Sequence, residues 1–165
     1  FFGEPKDEHL RIYGNLCLKP EENLYDTNSK PNLLYINYAQ TTSNPLYSPH
    51  KGMRHTLTNI LKHKFDFSRG TSFENYMKEL KTYKFCVSPP GRGIDTHRAW
   101  EALMMGTIPI MISTTQDHLF ERLPVIIIDS WEQITKPFLL EKYSDIIQKT
   151  YDFDILYTHY LIFRT

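Results

Sequence analysis

The sequence predicts one α/β domain, three layers deep, built on a mainly parallel sheet. Three observations lead there. Four short apolar segments, Leu33–Tyr38, Lys84–Val87, Ile108–Ile112 and Val125–Ile128, alternate with stretches of helical periodicity, the order that gives βαβ units. The later segments are continuous apolar runs rather than alternating ones, as expected for strands covered on both faces. Finally, Lys84 to Ser113 runs strand, Pro/Gly loop, helix and strand in one stretch. The right-handed crossover rule puts the loop of such a unit at the carboxyl edge of the sheet, where open α/β folds bind ligands.

Taken in order, residues 1–31 are mixed and turn-rich. Asn23, Asp26, Asn28, Ser29 and Pro31 cluster there, and only Leu10–Tyr13 and Asn15–Leu18 suggest short strands. They read as an irregular lead-in or the remnant of an interdomain connection, with a Rossmann-like domain over residues 32–165. After strand Leu33–Tyr38 comes a polar loop, Thr41–His50. Met53, Leu57, Ile60 and Leu61 then recur at helical spacing. Lys64–Phe67 reads as a second short strand, and Phe73–Leu80 as a helix leading into Lys84–Val87. Pro89, Pro90, Gly91 and Gly93 break the chain, Asp95 or Thr96 can cap the next helix, and Gly106 ends it. Leu139, Tyr143, Ile146 and Ile147 mark a further helix, and the aromatic tail Tyr151–Phe163 suggests a last one.

Bulk properties narrow the function. At 165 residues the chain holds one domain with a substantial core. Lys plus Arg and Asp plus Glu balance at 19 each, so no net field draws in a polyanion and nucleic acid is not an expected partner. Ten Phe and eleven Tyr point to an aromatic core, with carbohydrate-stacking surfaces as the other use of such rings. Cys86 lies in an apolar strand far in sequence from Cys17, as a buried free thiol would. No run approaches the roughly 18 apolar residues of a membrane span, so this segment is not expected to contact a membrane. The first residue is Phe1, and the chain is read as a piece of a longer protein. Its compartment, secretory lumen or cytoplasm, is set by that parent.

The loop and helix after Lys84–Val87 carry the chemistry. Gly91 and Gly93 permit close approach of backbone to a ligand. The N–H groups of Thr96 and His97, near a helix N-terminus, can face an anion. Arg98 can pair with phosphate oxygens and Glu101 can accept from ribose hydroxyls. Ser88 and Asp95 line the same loop and can reach a sugar. On the helix, Ala99, Ala102 and Leu103 form the core stripe, while His97, Arg98 and Glu101 share a different, narrow arc. The spacing also fits a plain i, i+3 ion pair between Arg98 and Glu101 on a solvated face. Arg54, opening the helix after the first strand, aims at the same cleft or stands as an exposed first-turn arginine. Gly91–Arg92–Gly93 lacks a full GxGxxG pattern, and no GxxxxGK[ST] loop occurs.

KFCVSPPG followed by R-x-x-E-A-x-x-x-G-x-x-P resembles the signature of exostosin-like glycosyltransferases. It is carried by Phe85, Cys86, Pro89, Gly91, Arg98, Glu101, Ala102, Gly106 and Pro109. The resemblance is closest over residues 84–113 and extends over about 31–135. It implies the C-terminal, donor-binding half of a GT-B fold, with Arg98 on the diphosphate of a nucleotide sugar and Glu101 on its ribose. It implies inverting transfer to a glycan or glycoconjugate acceptor without an essential metal or other cofactor. The acceptor-binding half, with the general base, would lie upstream in the parent protein. The chain departs from retaining GT-B enzymes that carry two glutamates eight positions apart: Gly93 stands eight before Glu101. A non-catalytic module binding a nucleotide or sugar phosphate is the alternative.

Other motifs carry less. Asp152–Phe153–Asp154 is a DxD sequence, but it opens an aromatic segment rather than a loop after a strand, and a hard cation needs more oxygen ligands. The histidines show no zinc spacing. No GxSxG elbow suggests a hydrolase.

Overall fold

The computed structural model describes residues 30–40, 52–68, 70, 72–91, 94, 96–153 and 156. Their fold is an α/β, Rossmann-like arrangement of four parallel strands. These are β1 (Asn32–Tyr35), β2 (Tyr83–Val87), β3 (Ile108–Ile112) and β4 (Ile126–Ile128), hydrogen-bonded in the order β1-β2-β3-β4. The helices are α1 (Met53–Leu61), α2 (Phe73–Lys81), α3 (His97–Met104) and α4 (Lys136–Ile146), with 3-10 turns at Asp117–Phe120 and Trp131–Gln133. No helix among the described residues is long and apolar enough to cross a membrane.

The two-residue period of the strands sorts their side chains into two cores. Leu34, Phe85, Val87, Ile108, Ile110, Ile126 and Ile128 face α1 and α4, meeting Leu57, Leu61, Leu139, Tyr143 and Ile146. Tyr35, Cys86 and Met111 face the opposite way, toward α2 and α3. The register holds these layers together, with Leu34 beside Phe85, Phe85 beside Ile108, and Ile110 beside Ile126. Each fully buried aliphatic, such as Leu57 or Ile110, contributes about 1.5–3 kcal/mol of transfer free energy. Ala99, Ala102 and Leu103 are the buried stripe of α3, as the spacing predicts. Trp100 is buried as well, its ring 5.0 Å from that of Phe120. Cys86 is a free, buried thiol that burial pushes up to about 12, which leaves it neutral and unreactive.

Helix ends follow local chemistry. The Ser72 hydroxyl caps α2 by accepting from the Asn75 N–H, and the Thr135 hydroxyl caps α4 by accepting from the Phe138 N–H. Helix α3 ends in a Schellman motif: the Thr107 N–H donates to the Ala102 carbonyl and the Gly106 N–H to that of Leu103. Gly106 has φ 65 there, a left-handed conformation that a side chain would strain.

Three expectations change. Lys64–Phe67 is not a strand: the Lys64 and Phe65 N–H groups donate to the Leu61 carbonyl, closing a turn after α1. Phe65 and Phe67 pack against the core from that turn, so their apolar character reports burial without pairing. Ladder pairing in β1 ends at Tyr35 rather than Tyr38, although Ile36 stays fully buried and accepts from the Ser68 N–H. Strand β4 exposes Ile127, so only one of its faces is covered. The strands expected at Leu10–Tyr13 and Asn15–Leu18 lie outside the described residues, as do Cys17 and most of the Tyr151–Phe163 tail.

Candidate functional site

The carboxyl ends of β1 and β2 and the start of α3 converge on one patch. Strand β2 ends at Val87, and just past it the Ser88 N–H donates to the Ile110 carbonyl at 2.9 Å. Beyond it run Pro89, Pro90 and Gly91, all buried. Two successive prolines have no N–H to offer a ladder, so this stretch must leave the sheet with its carbonyls unpaired by strand neighbours.

Arg54 meets that need. It sits in the first turn of α1, after Gly52, which takes a left-handed φ of 78. Its side chain runs inward and is buried. Nε donates to the Pro90 carbonyl at 2.9 Å, one terminal nitrogen to Ala39 at 2.7 Å, and the other to Pro89 at 3.3 Å. Arg54 is therefore neither an exposed first-turn arginine nor a cation standing open to the cleft. The guanidinium also explains Gly91: a Cβ there would fall 2.7 Å from an Arg54 terminal nitrogen. Gly91 makes room for a side chain, where the sequence suggests room for a ligand.

Arg98 and Glu101, one turn apart on α3, meet across Tyr76 of α2. The Tyr76 hydroxyl donates to Glu101 Oε2 at 2.8 Å, and the Arg98 guanidinium lies 5.9 Å from the Tyr76 ring centroid. Both α3 side chains are half-buried, which is not the solvated face a surface ion pair requires. Burial, then the adjacent Glu101 charge, raises the Tyr76 hydroxyl well above its ordinary value, so it is a fixed donor.

The electrostatics are those of two cations in one place. Burial holds Arg54 below the ordinary arginine range, and the charge of Arg98 pushes it the same way. Tyr38, whose ring lies 5.9 Å from the Arg54 guanidinium carbon, is raised by burial while Arg54 and Arg98 both act to lower it. The guanidinium groups thus repel each other in a partly desolvated setting.

Three buried polar atoms around this patch have no hydrogen-bond partner among the described residues: Ser88 Oγ, Thr96 Oγ1 and Arg98 Nε. Buried polar groups are nearly always satisfied, and an unmet one is a mark of a missing partner or ligand. The Cys86 thiol near Ser88 is at best a weak partner. Thr96 occupies the N-cap of α3, yet its side chain makes no capping bond, so its hydroxyl is left over for something else.

Of the residues singled out in the sequence, the structure brings together Arg54, Ser88, Gly91, Thr96, Arg98 and Glu101. His97 is exposed at the first position of α3. Gly93 and Asp95 lie outside the described residues. Tyr76 is the addition that sequence reading misses. Its spacing with Met77 and Leu80 marks it as core, which it is, and only the choice of Tyr over Phe hints that its hydroxyl has a partner. The Asp152 of the DxD sequence forms an ion pair with Arg122, and its N–H donates to the Arg122 carbonyl; Asp154 lies outside the described residues. No three His, Cys, Asp or Glu side chains among the described residues cluster as metal ligands.

No known protein-family model matches this chain, and no curated protein matches its sequence at a significant level.

Proposed function

We propose that this domain binds the nucleotide diphosphate sugar donor of a glycosyltransferase at the carboxyl edge of its sheet. One observation carries the reading: a buried Arg98 Nε with no hydrogen-bond partner, next to a second arginine whose charge it repels. Two neighbouring guanidinium groups ask for an anion between or beside them, and a diphosphate supplies both charge and acceptor oxygens. Glu101, held by Tyr76, then accepts from the ribose hydroxyls, and the Ser88 and Thr96 hydroxyls reach phosphate or sugar oxygens. The exostosin-like pattern running from Phe85 to Pro109 supports the same assignment.

In this reading the reaction is a direct displacement at the anomeric carbon. The acceptor oxygen forms the new glycosidic bond as the bond to the diphosphate breaks. Arg98 and the amide groups at the start of α3 stabilise the negative charge that develops on the leaving diphosphate. The base that takes the acceptor proton comes from the acceptor-binding half, and inversion at the anomeric carbon follows from the resemblance.

Calorimetric titration with UDP, GDP, ADP and their sugar conjugates tests the proposal. One diphosphate should bind, and its nucleoside should bind much more weakly. Folded protein that binds none of them refutes the reading. Binding without transfer by the full-length parent protein would make this a non-catalytic nucleotide or sugar-phosphate module.

A further inference from the structure

We infer that Arg54 is a positioning residue of the donor site, acting through the Pro89–Gly91 loop rather than as a phosphate ligand. The inference rests on the proposed function for its consequence, but not for its geometry. All three guanidinium nitrogens donate to backbone carbonyls, of Ala39, Pro89 and Pro90. Ala39 follows β1 and the two prolines follow β2, so one side chain ties together the exits of neighbouring strands. The planar fork is what makes this possible. Its nitrogens diverge in fixed directions, whereas the ammonium of lysine is a single point that cannot span the same carbonyls.

Gly91 completes the device. A Cβ at that position would lie 2.7 Å from the terminal nitrogen, 3.5 Å from the central guanidinium carbon and 3.8 Å from the Thr96 methyl. The guanidinium cannot swing aside cheaply, because its other nitrogens are held by carbonyls. Arg54 and Gly91 are thus one packing unit, and what they set is where the Pro89–Gly91 backbone lies against Thr96 at the start of α3. Displacing the unit moves the hydroxyls of Ser88 and Thr96 and the N-terminus that carries Arg98.

The test is a double-mutant cycle of Arg54→Lys and Gly91→Ala, read in two ways. The first is affinity for the diphosphate that binds wild type best among UDP, GDP and ADP, measured well below the unfolding transition. The second is the urea midpoint. Arg54→Lys keeps the charge but should weaken diphosphate binding roughly tenfold or more, since the fork geometry is lost. Gly91→Ala, which removes no charged or hydrogen-bonding side chain and serves if the lysine variant fails to fold, should weaken it comparably. In the lysine background the alanine should add no more than about twofold, because the atom it collides with is gone. Wild-type affinity in Arg54→Lys, or full additivity of the two changes, overturns the inference. If wild type binds no nucleotide, the donor-site reading falls, while non-additive urea midpoints still establish the Arg54–Gly91 unit and additive ones remove it.

Discussion

The two ends of the parallel sheet each bury cationic side chains, and they treat them differently. At the amino end Lys30 is buried where the chain enters β1, and its ammonium finds three acceptors: the Lys81 carbonyl at 2.8 Å, the Met105 carbonyl at 3.1 Å and Thr107 Oγ1 at 3.4 Å. Thr107 in turn donates to the Leu80 and Tyr83 carbonyls. This end is a closed polar knot that ties the starts of β1, β2 and β3. At the carboxyl end Arg54 is satisfied in the same fashion by loop carbonyls, but Arg98 keeps a buried Nε that nothing among the described residues accepts from. A buried cation with a full set of protein acceptors is part of the scaffold. One left short of acceptors, beside a like charge, is organised for a partner that arrives from solution.

That contrast can be broken most forcefully at Arg98. Arg98→Ala should weaken diphosphate binding about ten- to a hundred-fold, the range of a lost charge-assisted hydrogen bond of roughly 1.5–3 kcal/mol. Nucleoside binding should change far less. The urea midpoint should move little, because the buried Nε that is removed has no acceptor among the described residues to leave behind. Equal losses for nucleoside and diphosphate would erase the distinction between the two ends.

Lys30→Met makes the complementary change. Leaving buried carbonyls without a donor should lower stability by about 1–3 kcal/mol while diphosphate affinity stays as it was. The same variant tests a pH effect. Burial first, then the charges of Lys81 and Lys84, lowers Lys30 to about 8. Above that value the folded protein has released a proton that the unfolded chain keeps up to the ordinary lysine value of about 10.4. For Lys30 the unfolded state binds more protons in that window, so stability should rise with pH from about 8. The Cys86 thiol, held up to about 12 by burial, offsets the rise once its unfolded form ionises at about 8.5. Past about 10 the buried tyrosines oppose the trend. Tyr35, Tyr38 and Tyr76 are raised by burial, so their unfolded forms ionise first and stability falls. Urea midpoints across pH 7 to 11 should therefore pass through a maximum. Lys30→Met should flatten its rising side and leave the falling side in place.

The smallest effects belong to the ribose end of the site. Glu101→Gln and Tyr76→Phe should each weaken diphosphate and nucleoside binding alike, by a few-fold, since a neutral-donor hydrogen bond is worth about 1 kcal/mol. A loss confined to the diphosphate would move Glu101 away from the ribose.

How much of this was legible beforehand differs between sheet and site. The strands could be read as continuous apolar runs, which burial on both faces accounts for in Ile108–Ile112 but not in β4, where Ile127 is exposed. The α3 stripe and its glycine stop were likewise local signals. Lys64–Phe67 failed for the same reason that the others succeeded: two phenylalanines report that a segment touches the core, and say nothing about whether its backbone pairs. At the site, Arg98 and Glu101 were visible as a spacing on one helix. The roles of Arg54 and Gly91 were not, because Arg54 binds carbonyls 35 and 36 residues away in sequence. Gly91 looks the same whether it makes room for a phosphate or for a guanidinium.

The Nε–H of Arg98 can be followed directly, because side-chain nitrogen–proton NMR observes one arginine at a time. Saturation with the bound nucleoside diphosphate should shift the Arg98 Nε–H resonance strongly and slow its exchange with water, as a new acceptor closes on it. The Arg54 Nε–H, already donating to Pro90, should stay nearly where it was, and the nucleoside alone should move neither. An Arg98 resonance unchanged at saturation, with the diphosphate demonstrably bound, would contradict the claim that this end of the sheet is built to receive an anion.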